Sequence, residues 1–172
     1  MRIFHRFTKT DKEKNTEGKL GKTKKIKDEL KLKQVDQFFG YLLTIYNEFA
    51  DKYSENEEVR QGLKPHSKEY LKNLEHGIAL TKKAHDKIKA IPYVYNIPKT
   101  TQQYMKSSKE QFLLNLENYI KRDETIKNKS VEAIESGLIT EISDEFIIPF
   151  TVKAQFHMES ATNYMDQARQ SV

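Results

Sequence analysis

Helical proteins that do chemistry at paired iron or manganese ions hold them between Glu side chains and Glu-x-x-His motifs on facing helices. In this chain His66, His76, His85 and His157 are preceded three residues earlier by Leu63, Asn73, Lys82 and Ala154, so no such motif occurs there. No two histidines stand four apart either, which removes the zinc-binding helix pattern. Two of these histidines, His85 and His157, fall on apolar stripes, and Asp123 lies near a third. His85, Asp123 and His157 therefore form the candidate inward polar site, where imidazole and carboxylate would hold a proton or a metal ion. In an antiparallel arrangement the two histidines sit in layers about 10 Å apart. The expectation is thus core histidines bonded to nearby acceptors, with no metal and no cofactor.

Nucleophilic chemistry is poorly provided for. With no cysteine in 172 residues there are no thiolates, disulfides or Cys-ligated metal centres. Gly18-Lys19-Leu20-Gly21-Lys22-Thr23 ends like a phosphate-binding loop. The position five before Gly21 is Thr16 rather than Gly, however, and no buried strand precedes it. No catalytic residue is assigned.

Charge is the second feature that bears on function. Residues 1–33 hold twelve Lys or Arg against five Asp or Glu, a net +7, whereas the other 139 residues hold eighteen against twenty, a net −2. Only five of the thirty basic residues are Arg. That disfavours sequence-specific nucleic-acid reading, which relies on the bidentate guanidinium fork. At the start of the chain Arg2 and Arg6 would share one face of a helix and Phe4 and Phe7 the other, and Lys22, Lys24, Lys25 and Lys27 extend the cationic run. These residues are candidate contacts for an acidic partner, or for nucleic acid or anionic membrane through residues 1–33.

The elements that must position these residues are helical. Nine Tyr and nine Phe exclude disorder for most of the chain, and six Gly with four Pro are too few for a turn-rich β fold. Leu32, Val35, Phe39, Leu42, Tyr46, Phe49 and Tyr53 alternate by three and four, the signature of a helix with one inner stripe. Ser54-Glu55-Asn56-Glu57 reads as a capping box opening a short helix that stops at Gly62. Leu71, Leu74, Ile78, Thr81, His85 and Ile88 mark a second helix, starting at Pro65 or Ser67 and ending before Pro92. The segment Pro92–Pro98, bracketed by prolines, is an extended aromatic connection in which Tyr93 and Tyr95 either pack on the bundle's end or face a partner. A third helix begins near Lys99 and breaks around Asn128. Ser130 caps a short following helix that Gly137 closes, with Leu138 supplying its apolar contact. The fourth carries Phe150, Ala154, His157, Ala161, Tyr164 and Ala168, its three alanines implying close approach to a neighbour.

The expected architecture is an all-α antiparallel four-helix bundle with one or two short extra helices. Residues 1–27 form a largely flexible basic arm and residues 28–172 the bundle, with Phe39, Leu42, Leu74, Ile78, Phe112, Leu116 and Phe150 in its core. The functional expectation is a non-enzymatic helical interaction module whose basic arm attracts an acidic protein partner. The alternatives are a bundle binding a small ligand or metal, and a nonspecific binder of nucleic acid or membrane. A cytoplasmic location is expected, with export lacking a cleaved signal as the alternative.

Overall fold

A computed structural model describes the backbone of residues 11–137 and 142–172, with side chains from residue 24 onward. Four long helices run α1 (Asp11–Gln61), α2 (Lys68–Ala90), α3 (Lys99–Ser136) and α4 (Ile148–Gln170), with a 3₁₀ turn at Asp144–Phe146 before the last. Each packs antiparallel to the next. Lys87 reaches Glu48, Lys127 reaches Glu75, and Asn115 reaches the Ala154 carbonyl, so α1–α2, α2–α3 and α3–α4 are all reversed pairs. Short helical connections leave no other economical direction.

The inner faces follow the three-four stripes. Phe39, Leu42, Leu74, Phe112 and Leu116 are fully enclosed and Ile78 is buried, as expected, but Phe150, near the start of α4, is only half-buried. Tyr46, Phe49, Tyr53, Phe112 and Tyr119 interlock edge-to-face or tilted, with neighbouring centroids 5.2–5.9 Å apart, which fills the space between α1 and α3 with offset rings.

The α3–α4 seam is built differently. Ala154, Ala161 and Ala168, seven residues apart, are buried and let the backbones approach. From the facing helix Ser108 Oγ donates to the Ala161 carbonyl at 2.9 Å, Asn115 Nδ2 to the Ala154 carbonyl at 2.7 Å and Thr101 Oγ1 to the Ser171 carbonyl at 3.0 Å. A helical carbonyl has a second lone pair for this purpose, so these polar groups are buried without being unsatisfied.

Helix ends confirm part of the sequence reading and correct the rest. Ser67 caps α2, its side chain accepting from the Tyr70 amide at 3.1 Å, and Gly137 ends α3 at φ 66°, where a side chain would be strained. Leu138 lies outside the described residues, as do Arg2, Phe4, Arg6 and Phe7. No break occurs at Ser54: α1 continues to Gln61, because Asn56 and Glu57 turn to tertiary partners instead of capping. Likewise α3 passes Asn128, and Ser130 is buried inside it rather than capping a new helix. The short extra element is therefore the 3₁₀ turn alone among the described residues.

At the other end, α1 begins at Asp11, so residues 11–27, expected as a flexible arm, continue the helix. Extending an existing helix adds a hydrogen bond per residue without a new nucleus, and Lys and Glu are good helix formers, which outweighs Gly18 and Gly21. The 51-residue α1 is about 77 Å long, and its first buried side chain among the described residues is Val35. Its N-terminal half thus projects past the bundle end formed by Pro92–Pro98.

Candidate functional site

His85, Asp123 and His157 occupy three different surroundings. The His85 ring lies half-buried on α2, 3.5 Å from Asp86 and 3.6 Å from Glu117, a loose electrostatic contact at the surface. His157 Nδ1 is 2.7 Å from Gln111 Oε1, an acceptor, so that nitrogen carries the proton and the ring ties α4 to α3. Asp123 is fully enclosed at the opposite end from the basic extension and meets neither histidine. Among the described residues no group of three or more His, Asp or Glu is arranged to hold a metal ion.

Asp123 instead centres a network that sequence spacing does not reveal. Tyr53 Oη donates to its Oδ2 at 2.6 Å, Arg122 donates to its Oδ1 at 3.2 Å, and Arg60 Nη1 stands 3.6 Å away. Arg122 also donates to Glu57 and to the Tyr53 oxygen, while Arg60 donates to Glu57 at 2.9 Å. Asn56 and Asn73 exchange paired amide contacts beside it at 3.0–3.2 Å. Gly77 makes room: a Cβ there would stand 3.0 Å from both Asp123 Oδ2 and Asn56 Nδ2.

Burial pushes the Tyr53 phenol well above its ordinary value of 10.0, and the Asp123 charge adds to that. Burial alone would lower Arg122, but Tyr53, Asp123 and Glu57 outweigh it and hold the guanidinium charged. Two arginines face two carboxylates, so formal charge cancels and the polar groups are turned on one another. The arrangement locks α1, α2 and α3 in register. Its one sequence signal is the Arg122-Asp123 pair beside an inner stripe.

Accessible chemistry lies at the other end. Tyr93 stacks on Phe38 with centroids 6.2 Å apart, and beneath it Lys109 Nζ sits 4.6 Å from the ring centroid. Lys109 Nζ donates to the Lys89 and Ile91 carbonyls at 2.8 and 2.7 Å, placing a cation on the C-terminal carbonyls of α2. Burial holds its pKa below the ordinary lysine value. Gln102 Nε2 donates to the Tyr95 and Ile97 carbonyls and so fixes the curve of the segment.

Between this segment and α1 opens an apolar groove of ≈ 440 Å³, floored by Phe38, Ile91 and Tyr93 and walled by Tyr41, Ile45 and Val94. A second hollow of ≈ 310 Å³ lies across Tyr93–Tyr95, edged by Lys99, Gln102 and Lys106. Tyr41 is 68% exposed and Tyr95 77%. Just beyond, Lys24, Lys25 and Lys27 are exposed on the projecting part of α1, and Lys22 lies in its helical backbone. Of the contact residues named from sequence, then, the fold brings Tyr93, Tyr95 and this lysine run to one end of the bundle. Tyr41 escapes sequence reading because it stands off the inner stripe, where only a three-dimensional neighbour gives it meaning.

Compared with family models, with curated proteins and with solved structures, the chain matches none. Among the described residues no helix is long and apolar enough to cross a membrane.

Proposed function

We propose that the protein is a non-enzymatic helical interaction module that docks a protein partner at the Pro92–Pro98 end. The single observation supporting this is the apolar groove between α1 and Tyr93–Val94, open to solvent and continuous with exposed aromatic and aliphatic side chains of α1. Exposed large apolar side chains gathered at one place, with charge at the margin, are what protein docking surfaces offer. The buried Arg–Asp–Tyr network serves as the rigid support, and the basic half of α1 adds long-range attraction to an acidic partner.

Affinity capture with the full chain tests the reading. A partner retained by the unchanged protein and by His85→Ala, but lost by Tyr41→Glu or Val94→Glu, is the expected result. A partner that binds all four forms alike would place the docking surface elsewhere.

A second reading, nonspecific polyanion binding, is favoured by the exposed Lys24, Lys25 and Lys27. It requires no groove, so charge substitution alone separates it from the first.

A further inference from the structure

The projecting half of α1 has an exposed flank of its own. Ile26 and Leu30 are 57% and 58% exposed there, and the same flank continues through Gln34, Gln37 and Tyr41 to Ile45, at the edge of the apolar groove. These six positions follow one another at intervals of four, four, three, four and four. That spacing is the same read in either direction. It is what a two-fold contact between antiparallel copies of one helix requires, since each residue i then meets residue j and each j meets i.

Superposing the flank on its own reverse pairs Ile26 with Ile45, Leu30 with Tyr41 and Gln34 with Gln37, about a centre between Val35 and Asp36. That centre coincides, within one residue, with the midpoint of Asp11–Gln61. The projecting residues 11–34 would therefore lie along residues 37–60 of the second copy, with the two bundles toward opposite ends of the paired helices.

Charge agrees with this direction. Residues 11–34 contain nine Lys against five Asp or Glu, net +4, while residues 37–61 contain five acidic against two basic side chains, net −3. Asp51 and Glu55 are exposed further along this acidic half of α1, where Glu48 is paired with Lys87. An antiparallel pair lays the basic half of each helix over the acidic half of the other, whereas a parallel pair would set like charges side by side.

Ile26 and Leu30 stay uncovered where α1 leaves its bundle, and burying them against a second helix removes apolar surface from water. From these observations we infer that α1 is the interface of an antiparallel homodimer in which Ile26 and Leu30 of each copy fill the Tyr41–Tyr93–Val94 groove of the other. This rests on the interaction-module reading and names its partner as a second copy of the chain.

The absence of native cysteine makes the test direct. In this register residue 30 of one copy stands opposite residue 41 of the other, while the two residues 30 are about 17 Å apart along the axis, beyond disulfide reach. Full-length Leu30→Cys and Tyr41→Cys proteins, mixed and oxidised, should give a cross-linked pair containing one of each. Neither variant should cross-link with itself. Self-cross-linking of Leu30→Cys alone would instead show a parallel pair and overturn the register.

Sedimentation of the unchanged chain provides the second measurement. Twice the monomer mass in the micromolar range, weakening with added salt, and a dissociation constant raised about tenfold or more by Leu30→Glu, are expected. Leu30 and Tyr41 are exposed positions, and circular dichroism verifies that variants there stay folded. A chain that remains monomeric, or a dimer indifferent to Leu30→Glu, overturns the inference. If the monomeric chain still captures a different protein through Tyr41, only the dimer fails. If Tyr41→Glu changes neither measurement, the interaction-module reading falls with it.

Discussion

Asp123 shows how much a single enclosed charge commits the residues around it. Removing it by Asp123→Ala leaves Arg60 and Arg122 with Glu57 as their one shared carboxylate in a closed site, and loss of one member of a buried ionic group costs about 3–5 kcal/mol. Equilibrium urea unfolding should show a loss of that size. Gly77→Ala acts on the same site from the other side. The new methyl gains about 1 kcal/mol in helix propensity. It is nevertheless crowded 3.0 Å from a carboxylate that Tyr53 and Arg122 hold in place, and 3.0 Å from Asn56, which Asn73 holds, so neither neighbour can retreat. Overpacking of about 1–3 kcal/mol should win, and a lower melting temperature would show it.

The tyrosines give a pH dependence of definite sign. Tyr46 and Tyr53 are raised from 10.0 mainly by burial, so in the folded state they keep their protons where the unfolded chain loses them. Their contribution is complete below the unfolded value and is lost as pH climbs past about 10. Lys109, lowered by burial, works in the opposite sense, but its effect is complete by its ordinary value of 10.5 and leaves most of the phenols' range untouched. Unfolding midpoints should therefore fall above about pH 10, less steeply in Tyr46→Phe. A flat alkaline profile would contradict the burial of these phenols.

Among elements, the two seams of α3 should respond to opposite kinds of change. Against α1 and α2 the core is large and apolar, so Phe112→Ala opens a cavity and costs about 3–5 kcal/mol. Against α4 the contact depends on smallness. Ala161 is fully enclosed with its carbonyl taken by Ser108, so Ala161→Leu forces the helices apart and costs about 1–3 kcal/mol or more, although it adds apolar surface. Thermal melts of the two variants test this contrast directly. The alanine spacing by itself implies a close seam, yet nothing in the sequence names Thr101, Ser108 and Asn115 as its donors. Their facing carbonyls belong to a helix some 39 to 70 residues away.

Over the whole molecule, charge is laid out lengthwise, with the cationic half of α1 projecting from a near-neutral bundle. Any attraction to duplex nucleic acid or anionic vesicles should come from that half. Titration at about 50 and about 200 mM salt should show weak, sequence-independent binding that falls steeply, and a combined Lys24→Gln, Lys25→Gln, Lys27→Gln variant should bind less with a shallower salt slope. Equal binding by that variant would mean the lysines are passive.

The division between what residues alone determine and what folding decides follows the range of the physics involved. Four helices, their inner stripes, the caps at Ser67 and Gly137 and the stiff Pro92–Pro98 connection are all legible in the sequence, because apolar periodicity, glycine's left-handed freedom and proline's fixed torsion act within a few neighbouring residues. The same local rules misread Ser54 and Asn128. At Ser54 the capping groups find stronger distant partners, and at Asn128 the helix has only to be continued, not begun. Tyr53, Glu57, Gly77, Arg122 and Asp123 meet across three helices, and Tyr41 gains its groove from a segment about fifty residues on. Such meetings depend on how whole helices cross and register, a property of the packed core that no local spacing encodes.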